Sequence, residues 1–272
     1  MRGDMSGSEV ANQQSGEAIE LERDGAVATL WLNRPARRNA FDLAMWGRLG
    51  DLAGDLAAEP GLRCLVLRGR GGAFAAGADI SEFPDKRFSA AQAADYAHVM
   101  DRATEAVADF PAPTLAIIEG PCVGGGLELA VQCDLRLAGA GARFGIPINR
   151  IGHCLPYPAM IALVELAGRA AALEILLEGR ILDATEALAK GLLTRVVPDD
   201  ALAAEAAATV KRIAAGAPLA ARWHKRLARK ALRPEALTAE DWREPLASCD
   251  TADYREGIRA FLAKEKPVFR GE

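Results

Sequence analysis

The sequence predicts an α/β fold that is followed by a helical C-terminal region. Short apolar runs typical of β-strands cover residues 26–32, 64–68, 114–118 and 135–138. Helical patterns lie between or after these runs, over residues 42–59, 101–109 and 127–133. Because strands that alternate with helices favour parallel pairing, we expect a largely parallel sheet.

From about Pro158 onward the pattern is almost wholly helical. Asp183 with Glu186 is typical of a helix N-cap and its N3 partner, and Gly191 is typical of a C-terminal stop. Two later segments, residues 219–232 and 253–264, also have helical patterns. We therefore expect three parts, which are a disordered polar tail over residues 1–16, a core over 17–200 and a helical region over 201–272.

Composition restricts the class of protein. The chain has 272 residues, of which half are hydrophobic, and this is enough for a large core. A net charge of −4 gives no footprint for nucleic acid. The local basic run over residues 222–233 is interpreted as the solvated face of a helix. No apolar run is long enough to span a membrane.

The five cysteines show no CxxC spacing, and most of them lie in apolar stretches. Buried free thiols in a reducing compartment are the simplest interpretation, so we expect a cytoplasmic protein. The polar N-terminal residues lack the apolar segment of a secretory signal.

Several common cofactor and catalytic motifs are missing. Residues 69–74 begin like a dinucleotide fingerprint, but Phe74 stands at the third glycine position. The sequence contains neither a P-loop nor the GxSxG motif of serine hydrolases. The three histidines, His98, His153 and His224, lack metal-ligand spacing, so we expect no metal and no separate cofactor.

The most informative segment is a triple glycine, Gly124 to Gly126, between the apolar run 114–118 and the helical segment 127–133. Glycines let a ligand approach the backbone, and the free N–H groups of a first helical turn point at that ligand. The positive end of the helix dipole favours an oxyanion there. Glu128 can transfer a proton beside it, although a Glu in a first turn is also favoured by the dipole alone.

A second glycine-containing turn covers residues 69–83 and follows the apolar run 64–67. It also ends where a helix can begin. Since an oxyanion hole needs two N–H donors, two such turns can supply one donor each.

Together these segments resemble the crotonase family, that is, enoyl-CoA hydratases and isomerases. The resemblance covers roughly residues 17–270. Its strongest parts are residues 73–80 and 124–130 with Cys133-Asp134. Weaker matches flank them, at residues 32–35 with Asn39-Ala40, 142–145 with Pro147, 184–197 and 256–262.

The resemblance implies a spiral of β-β-α repeats with a helical C-terminal region that trimerises and caps CoA. It implies an acyl-CoA thioester as substrate, with CoA as part of the substrate. Relatives typically form trimers, or hexamers as dimers of trimers. Neither nucleic acid nor membrane is implied as a partner.

The family's site residues transfer to matching positions. The backbone N–H groups of Ala78 and Gly125 would bind the thioester oxygen, and Glu128 would be the acid/base. The substrate path and the first CoA-contacting loop would involve Ala76, Gly77, Asp79, Ile80, Gly124, Ile148, Arg37, Arg38 and Ala40. Phe261 and Lys264 would reach the adenine end of CoA on a neighbouring subunit.

Simpler interpretations stand beside several of these assignments. Asp79 is also a favoured helix cap, and Arg37 and Arg38 are also typical solvated loop charges. Phe261 can pack in a core, and Lys264 can simply be exposed.

One position departs from the family pattern. Hydratases carry two catalytic glutamates, and the second would fall at Ile148, which cannot transfer a proton. A one-residue slip would place Asn149 there, which can hold water but cannot titrate. His153 is a further candidate acid or base, although a lone histidine is more often structural.

Three hypotheses follow. The first is an enoyl-CoA hydratase with Glu128 as the main acid/base. The second is another enolate reaction with a single Glu, such as moving a double bond along an acyl-CoA, which the loss of the second glutamate favours. The third is a non-catalytic acyl-CoA-binding protein, against which the retention of Glu128 argues.

Overall fold

The computed structural model describes residues 17–272, so the predicted tail over residues 1–16 lies outside the described part. Its centre is a six-stranded sheet with the order β1-β2-β3-β4-β6-β9. The first two strands pair antiparallel across a turn at Gly25, and all later pairs are parallel. The strands of this sheet are β1 (Ile19–Asp24), β2 (Val27–Leu32), β3 (Cys64–Gly69), β4 (Thr114–Ile118), β6 (Leu135–Gly139) and β9 (Arg195–Val197).

A smaller sheet of three short strands stands beside the large one, in the order β5-β7-β8. Its first pair is parallel and its second pair is antiparallel. These strands are β5 (Pro121–Val123), β7 (Arg143–Gly145) and β8 (Leu182–Asp183).

The helices alternate with the strands as far as residue 197 and then follow one another. The helix over residues 157–178 is two helices joined at Gly168, whose φ of 74° and ψ of 158° interrupt the helical path. The helices are α1 (Leu43–Ala57), α2 (Phe83–Lys86), α3 (Ala90–Ala108), α4 (Gly125–Ala130), α5 (Tyr157–Glu178), α6 (Ala184–Ala189), α7 (Leu202–Ala214), α8 (Pro218–Ala231) and α9 (Ala252–Ala263).

This order contains the β-β-α units that the resemblance implies, most clearly β1-β2-α1 and β4-β5-α4. Alternate residues of the strands face opposite sides of the large sheet. One side, with Leu65 and Ala116, packs against α1, α3, α4 and α5 in the main core. The other side, with Val66 and Ile117, is covered by Leu202 of α7. Although α7 belongs to the predicted C-terminal region, it therefore packs on the central sheet.

The four predicted strands are present, and so are the N-cap at Asp183 and the stop at Gly191. Helix α3 begins at Ala90, well before the expected residue 101, because Ser89 and Gln92 form a capping box at its N-terminus. Helix α4 begins two residues before the expected residue 127 and ends at Ala130.

The basic run over residues 222–233 is not simply a solvated face, so that prediction is wrong for Lys225. Its ammonium group is buried and forms an ion pair of 2.8 Å with Asp134. Asp134 also accepts a hydrogen bond of 2.7 Å from the backbone N–H of Thr114. These contacts tie α8 to the segment that follows α4 and to strand β4, and they give Asp134 a structural role.

Within residues 17–272, no helix has the length and apolar character needed to cross a bilayer. Cys64, Cys122 and Cys133 are buried, as expected, whereas Cys154 and Cys249 are exposed.

Candidate active site

The two glycine-containing turns lie side by side. Ala75 of the first turn forms a parallel bridge with Cys122 of β5. The N–H of Ala75 donates to the carbonyl of Pro121, and the N–H of Val123 donates to the carbonyl of Ala75, both at 2.9 Å. This bridge fixes the segment before Gly77 against the segment before Gly124.

Each turn presents one backbone N–H without a partner. The backbone groups next to Ala78 already form hydrogen bonds with Phe41. The N–H of Phe41 donates to the carbonyl of Gly77, and the N–H of Asp79 donates to the carbonyl of Phe41. The N–H groups of Ala78 and Gly125 themselves form no hydrogen bond with any group of residues 17–272. The nitrogen of Ala78 lies only 3.6 Å from the place that a Cβ on Gly125 would occupy. The two free donors are therefore neighbours.

The three consecutive glycines meet three different requirements. Gly124 has φ 52° and ψ −124°, a conformation that other residues adopt only with strain. A Cβ on Gly126 would lie 2.5 Å from the carbonyl oxygen of Ala75, which is too close. A Cβ on Gly125 would lie 3.1 Å from Cζ2 of Trp46, whose ring stacks on Phe41 with centroids 4.0 Å apart. The triple glycine thus allows close packing as well as ligand access.

Glu128 is the fourth residue of α4, and its side chain is buried. The residue is only 6% exposed. Its carboxylate forms no hydrogen bond and no ion pair with any other residue that the structure describes. Burial raises the pKa of Glu128 from 4.5 to about 7, the positive charge of Arg87 opposes this rise, and the negative charge of Asp101 adds to it. Glu128 can therefore both accept and donate a proton near neutral pH.

Arg87, which the sequence analysis did not select, is part of this site. It follows α2 directly, and its guanidinium lies over the rings of Phe83 and Tyr96, at 5.0 and 5.1 Å from their centroids. Its Nη2 atom lies 2.6 Å from Nε2 of His153. No motif of the sequence marks Arg87, because its contact with His153 arises only from the fold.

Ile148 stands at the position where the resemblance places a second glutamate. Ile148 opens a 3-10 turn, Ile148–Ile151, and its side chain packs against the main core. Asn149 does not replace the missing carboxylate, because its amide donates to the carbonyl of Leu177 at 2.9 Å and lies against Gly179.

His153 is held beside the same turn, since its N–H donates to the carbonyl of Ile148 at 3.1 Å. Burial and the positive charge of Arg87 lower the pKa of His153. A neutral ring that accepts the Arg87 hydrogen bond at Nε2 carries its proton on Nδ1. In that state Nε2 is occupied, so His153 is a poor candidate for a general base.

The first CoA-contacting loop of the resemblance lies next to the first glycine turn. The carbonyl of Arg38 accepts a hydrogen bond of 2.9 Å from the N–H of Ala76. The side chains of Arg37 and Arg38 are exposed and form no ion pair within residues 17–272, and Ala40 is half-buried. These cations are thus free to meet an anion.

Asp79 acts as a cap, as the simpler interpretation predicts. Its carboxylate accepts hydrogen bonds from the backbone N–H and the hydroxyl of Ser81, and it forms an ion pair of 3.0 Å with Arg34. These contacts, with the Ser81 hydrogen bond the largest, hold the pKa of Asp79 below its usual value. Ile80, the next residue, is exposed.

The C-terminal candidates lie on the outer helix of the chain. Phe261 on α9 is 83% exposed and borders a cavity of about 510 Å³ that Trp223 and Phe269 also line. Lys264 ends α9 in a left-handed conformation with φ 56°, and its side chain is exposed. Within the single chain, therefore, Phe261 borders a cavity between the C-terminal helices. The alternative interpretation, that Phe261 packs in a core, does not hold within this chain.

Candidate metal ligands are not grouped in this part of the chain. Across residues 17–272, no three His, Cys, Asp or Glu side chains are close enough together to hold a metal ion.

The β-β-α units, the bridged turns and the buried glutamate define a protein of the crotonase fold, and solved structures agree. The crystal structure of an enoyl-CoA hydratase/carnithine racemase from Magnetospirillum magneticum matches with a TM-score of 0.92 and 51% identity, over 95% of this chain and 97% of that chain. An enoyl-CoA hydratase from Mycobacterium smegmatis matches with a TM-score of 0.86 and 32% identity, over 93% of this chain and 99% of that chain.

The sequence comparison defines the family more closely. A family model described as enoyl-CoA hydratase/isomerase matches residues 22–272, so the chain belongs to that family. The probable enoyl-CoA hydratase echA8 of Mycobacterium tuberculosis is 34% identical over 255 residues, which are 93% of this chain and 98% of the relative.

Proposed function

We propose that this chain hydrates a 2-enoyl-CoA, with Glu128 as its acid/base and the N–H groups of Ala78 and Gly125 as its oxyanion hole. The observation that carries the proposal is a buried carboxylate with a pKa of about 7 on helix α4, whose first residue, Gly125, supplies one of the two neighbouring free N–H groups. The names of the relatives support hydration as the reaction.

The two N–H donors would act on the thioester oxygen. Negative charge grows on this oxygen as the substrate becomes enolate-like, so fixed donors stabilise the transition state more than the ground state. One such donor is typically worth about 3 kcal/mol. Since both donors are backbone groups, side-chain changes at Ala78 or Gly125 would act by filling space.

A single carboxylate with this pKa can carry the one proton that hydration must move from water to C2. The oxygen of water forms a bond to C3 of the enoyl group while Glu128 takes one proton from that water. The electron pair of the double bond moves toward the thioester oxygen as an enolate. Glu128 then returns the proton to C2, so the carboxylate ends the cycle unchanged.

A second reaction, the migration of a double bond, is favoured by the residues at and near the position where the resemblance places a second glutamate. Ile148 is apolar, Asn149 is bonded to Leu177, and Nε2 of His153 is engaged by Arg87. None of them offers a second carboxylate or a free basic nitrogen. In this reaction Glu128 would remove a proton from C2 of a 3-enoyl-CoA and return it at C4, without water.

The experiment that separates these reactions uses crotonyl-CoA and a 3-enoyl-CoA, each in H₂O and in D₂O, with mass spectrometry. Gain of one water by crotonyl-CoA supports hydration. Double-bond migration or deuterium uptake without added water supports the isomerase. Glu165→Gln, a change at an exposed carboxylate on α5, is the matched control for Glu128→Gln.

Acyl-CoA binding without any reaction in the wild type would favour the third hypothesis, a non-catalytic binding protein. That outcome would contradict the catalytic role of Glu128.

We further propose that the chain forms trimers, or hexamers as dimers of trimers, and that Phe261 and Lys264 contact CoA held by a neighbouring subunit. The support is the apolar surface of the C-terminal region, where several large side chains are exposed, namely Trp242, Leu246, Phe261, Leu262 and Val268. Exposed apolar groups of this number are typical of interaction surfaces.

A further inference from the structure

We propose that Arg87, held in place by His153, binds a carboxylate carried by the acyl chain of the substrate. The proposal rests on the proposed function, because it assigns the kind of acyl group that the same site accepts. It makes the preferred substrate an enoyl-CoA with a second negative charge at the end of its acyl chain or on a branch of it.

The first observation is that no carboxylate of the described residues is paired with Arg87 at close range, although Glu128 lies near enough for its pKa to be affected by the Arg87 charge. Within residues 17–272, Arg87 forms no ion pair, and its only polar side-chain contact is the Nε2 atom of His153. The residue is nevertheless half-buried, and its guanidinium is packed over Phe83 and Tyr96. A partly desolvated cation without an anionic partner is costly, and a ligand carboxylate would supply that partner.

The second observation is that the guanidinium is already oriented. The two aromatic rings and His153 restrict the plane of the group, so it would lose little freedom when a ligand binds. Only one of its five N–H donors is used by His153. The remaining donors can form the paired hydrogen bonds that arginine makes with a carboxylate.

His153 adds a donor of its own to this side of the site. Because its Nε2 atom faces Arg87, the proton of the neutral ring lies on Nδ1 and is available to an acceptor. The turn that begins at Ile148 fixes the backbone of His153. The Arg87–His153 pair therefore offers donors and no free acceptor, which suits an anion.

The third observation is the location of the pair. The positive charge of Arg87 opposes the rise of the pKa of Glu128, so the guanidinium lies in the neighbourhood of that carboxylate. His153 lies beside Ile148, the position opposite Glu128 in the resemblance. A chain whose reacting carbons lie at Glu128 would pass this pair, and a positively charged acyl group would be repelled from it.

The test is a binding measurement with saturated acyl-CoAs, which cannot react by hydration. A series of graded chain length is prepared, each member once with a methyl terminus and once with a terminal carboxylate. Calorimetry or competition gives the dissociation constant of each for the wild type and for Arg87→Gln. Lys86→Gln is the matched control, because it removes an equal charge from an exposed neighbouring residue.

We expect the carboxylate form of at least one chain length to bind about tenfold tighter than its neutral counterpart. Arg87→Gln should reduce this preference to less than about twofold without changing the affinity for the neutral form. Lys86→Gln should leave both affinities unchanged, and Arg87→Lys should keep part of the preference because it retains the charge.

The inference is overturned when neutral acyl-CoAs bind and no carboxylate form binds tighter, or when Arg87→Gln keeps the preference. Those outcomes leave the proposed function intact. Failure of every acyl-CoA to bind would instead overturn the proposed function together with the inference. Thermal unfolding of each variant shows whether the substitution has changed the fold.

Discussion

Glu128 is costly for the fold, because its carboxylate is buried and finds no hydrogen-bond donor among residues 17–272. Its pKa in the native protein is about 7, against 4.5 for an ordinary glutamate. The native state therefore binds this proton more tightly than the unfolded state does. The resulting penalty is fully present above about pH 7 and disappears as the pH falls toward about 4.5.

This linkage predicts that Glu128→Gln stabilises the protein at neutral and higher pH. The gain should approach about 3 kcal/mol at about pH 8 and should shrink strongly at about pH 5. Denaturant unfolding of both proteins at the two pH values measures it. Equal effects at both values would mean that Glu128 titrates normally in the native state.

The same carboxylate should control the pH dependence of turnover. As a general base it must be ionised, so kcat/KM for the wild type should rise with pH through about 7. Because the charge of Arg87 favours the ionised form, Arg87→Gln should move this rise to higher pH. An unchanged profile in the variant, measured with a neutral acyl-CoA, would contradict the coupling of Arg87 to Glu128.

The sequence identifies some of the site residues and not others. Glu128 could be selected because a motif surrounds it, and Ile148 could be identified as a departure for the same reason. Arg87 could not, since its meaning depends on a contact with His153, which is 66 positions away in the chain. Asn149 was a reasonable candidate by spacing, but its side chain points to the end of α5.

At the level of elements, two glycines at the N-terminus of α4 have different roles: Gly125 leaves room for a ligand, and Gly126 allows the two turns to pack closely. Gly125→Ala should fold, since the nearest atom to the new Cβ belongs to the Trp46 side chain at 3.1 Å, which can shift slightly. The new methyl group would stand beside the N–H of Ala78, so activity should fall by a factor of about 100 or more.

Gly126→Ala should behave in the opposite way, because its Cβ would lie 2.5 Å from the carbonyl of Ala75 and would separate the bridged turns. We expect a destabilisation of about 1–3 kcal/mol, typical of overpacking. Thermal unfolding and assays of both variants check the contrast. A stable, active Gly125→Ala protein would argue against the paired donors.

The elements themselves were predicted where apolar periodicity was strong. The central strands β3, β4 and β6 are almost continuous apolar runs, because helices cover both faces of the sheet. Strand β1 was missed because it is an edge strand rich in charge. Strands β5 and β7 are only three residues long, which is too short for any periodicity to be visible.

For the whole molecule, the exposed apolar side chains of the C-terminal region predict self-association. Sedimentation should give a species of about three chains or a multiple of three, each of 28.8 kDa. Phe261→Ser combined with Leu262→Ser should shift the protein toward the monomer, while the buried core is unaffected. A wild-type protein that sediments as a monomer would contradict the proposal.

The proposed reaction requires Glu128 to exchange a proton with C2 of a thioester whose oxygen is bound by the N–H groups of Ala78 and Gly125. Mass spectrometry of deuterium uptake at C2 of saturated acyl-CoAs in D₂O tests it without assuming either hydration or isomerisation. We expect uptake with the wild type and a loss of about 1000-fold or more in Glu128→Gln, with acyl-CoA affinity changed only a few fold. Uptake at the same rate in Glu128→Gln, or none with wild-type protein that binds the acyl-CoAs, would contradict it.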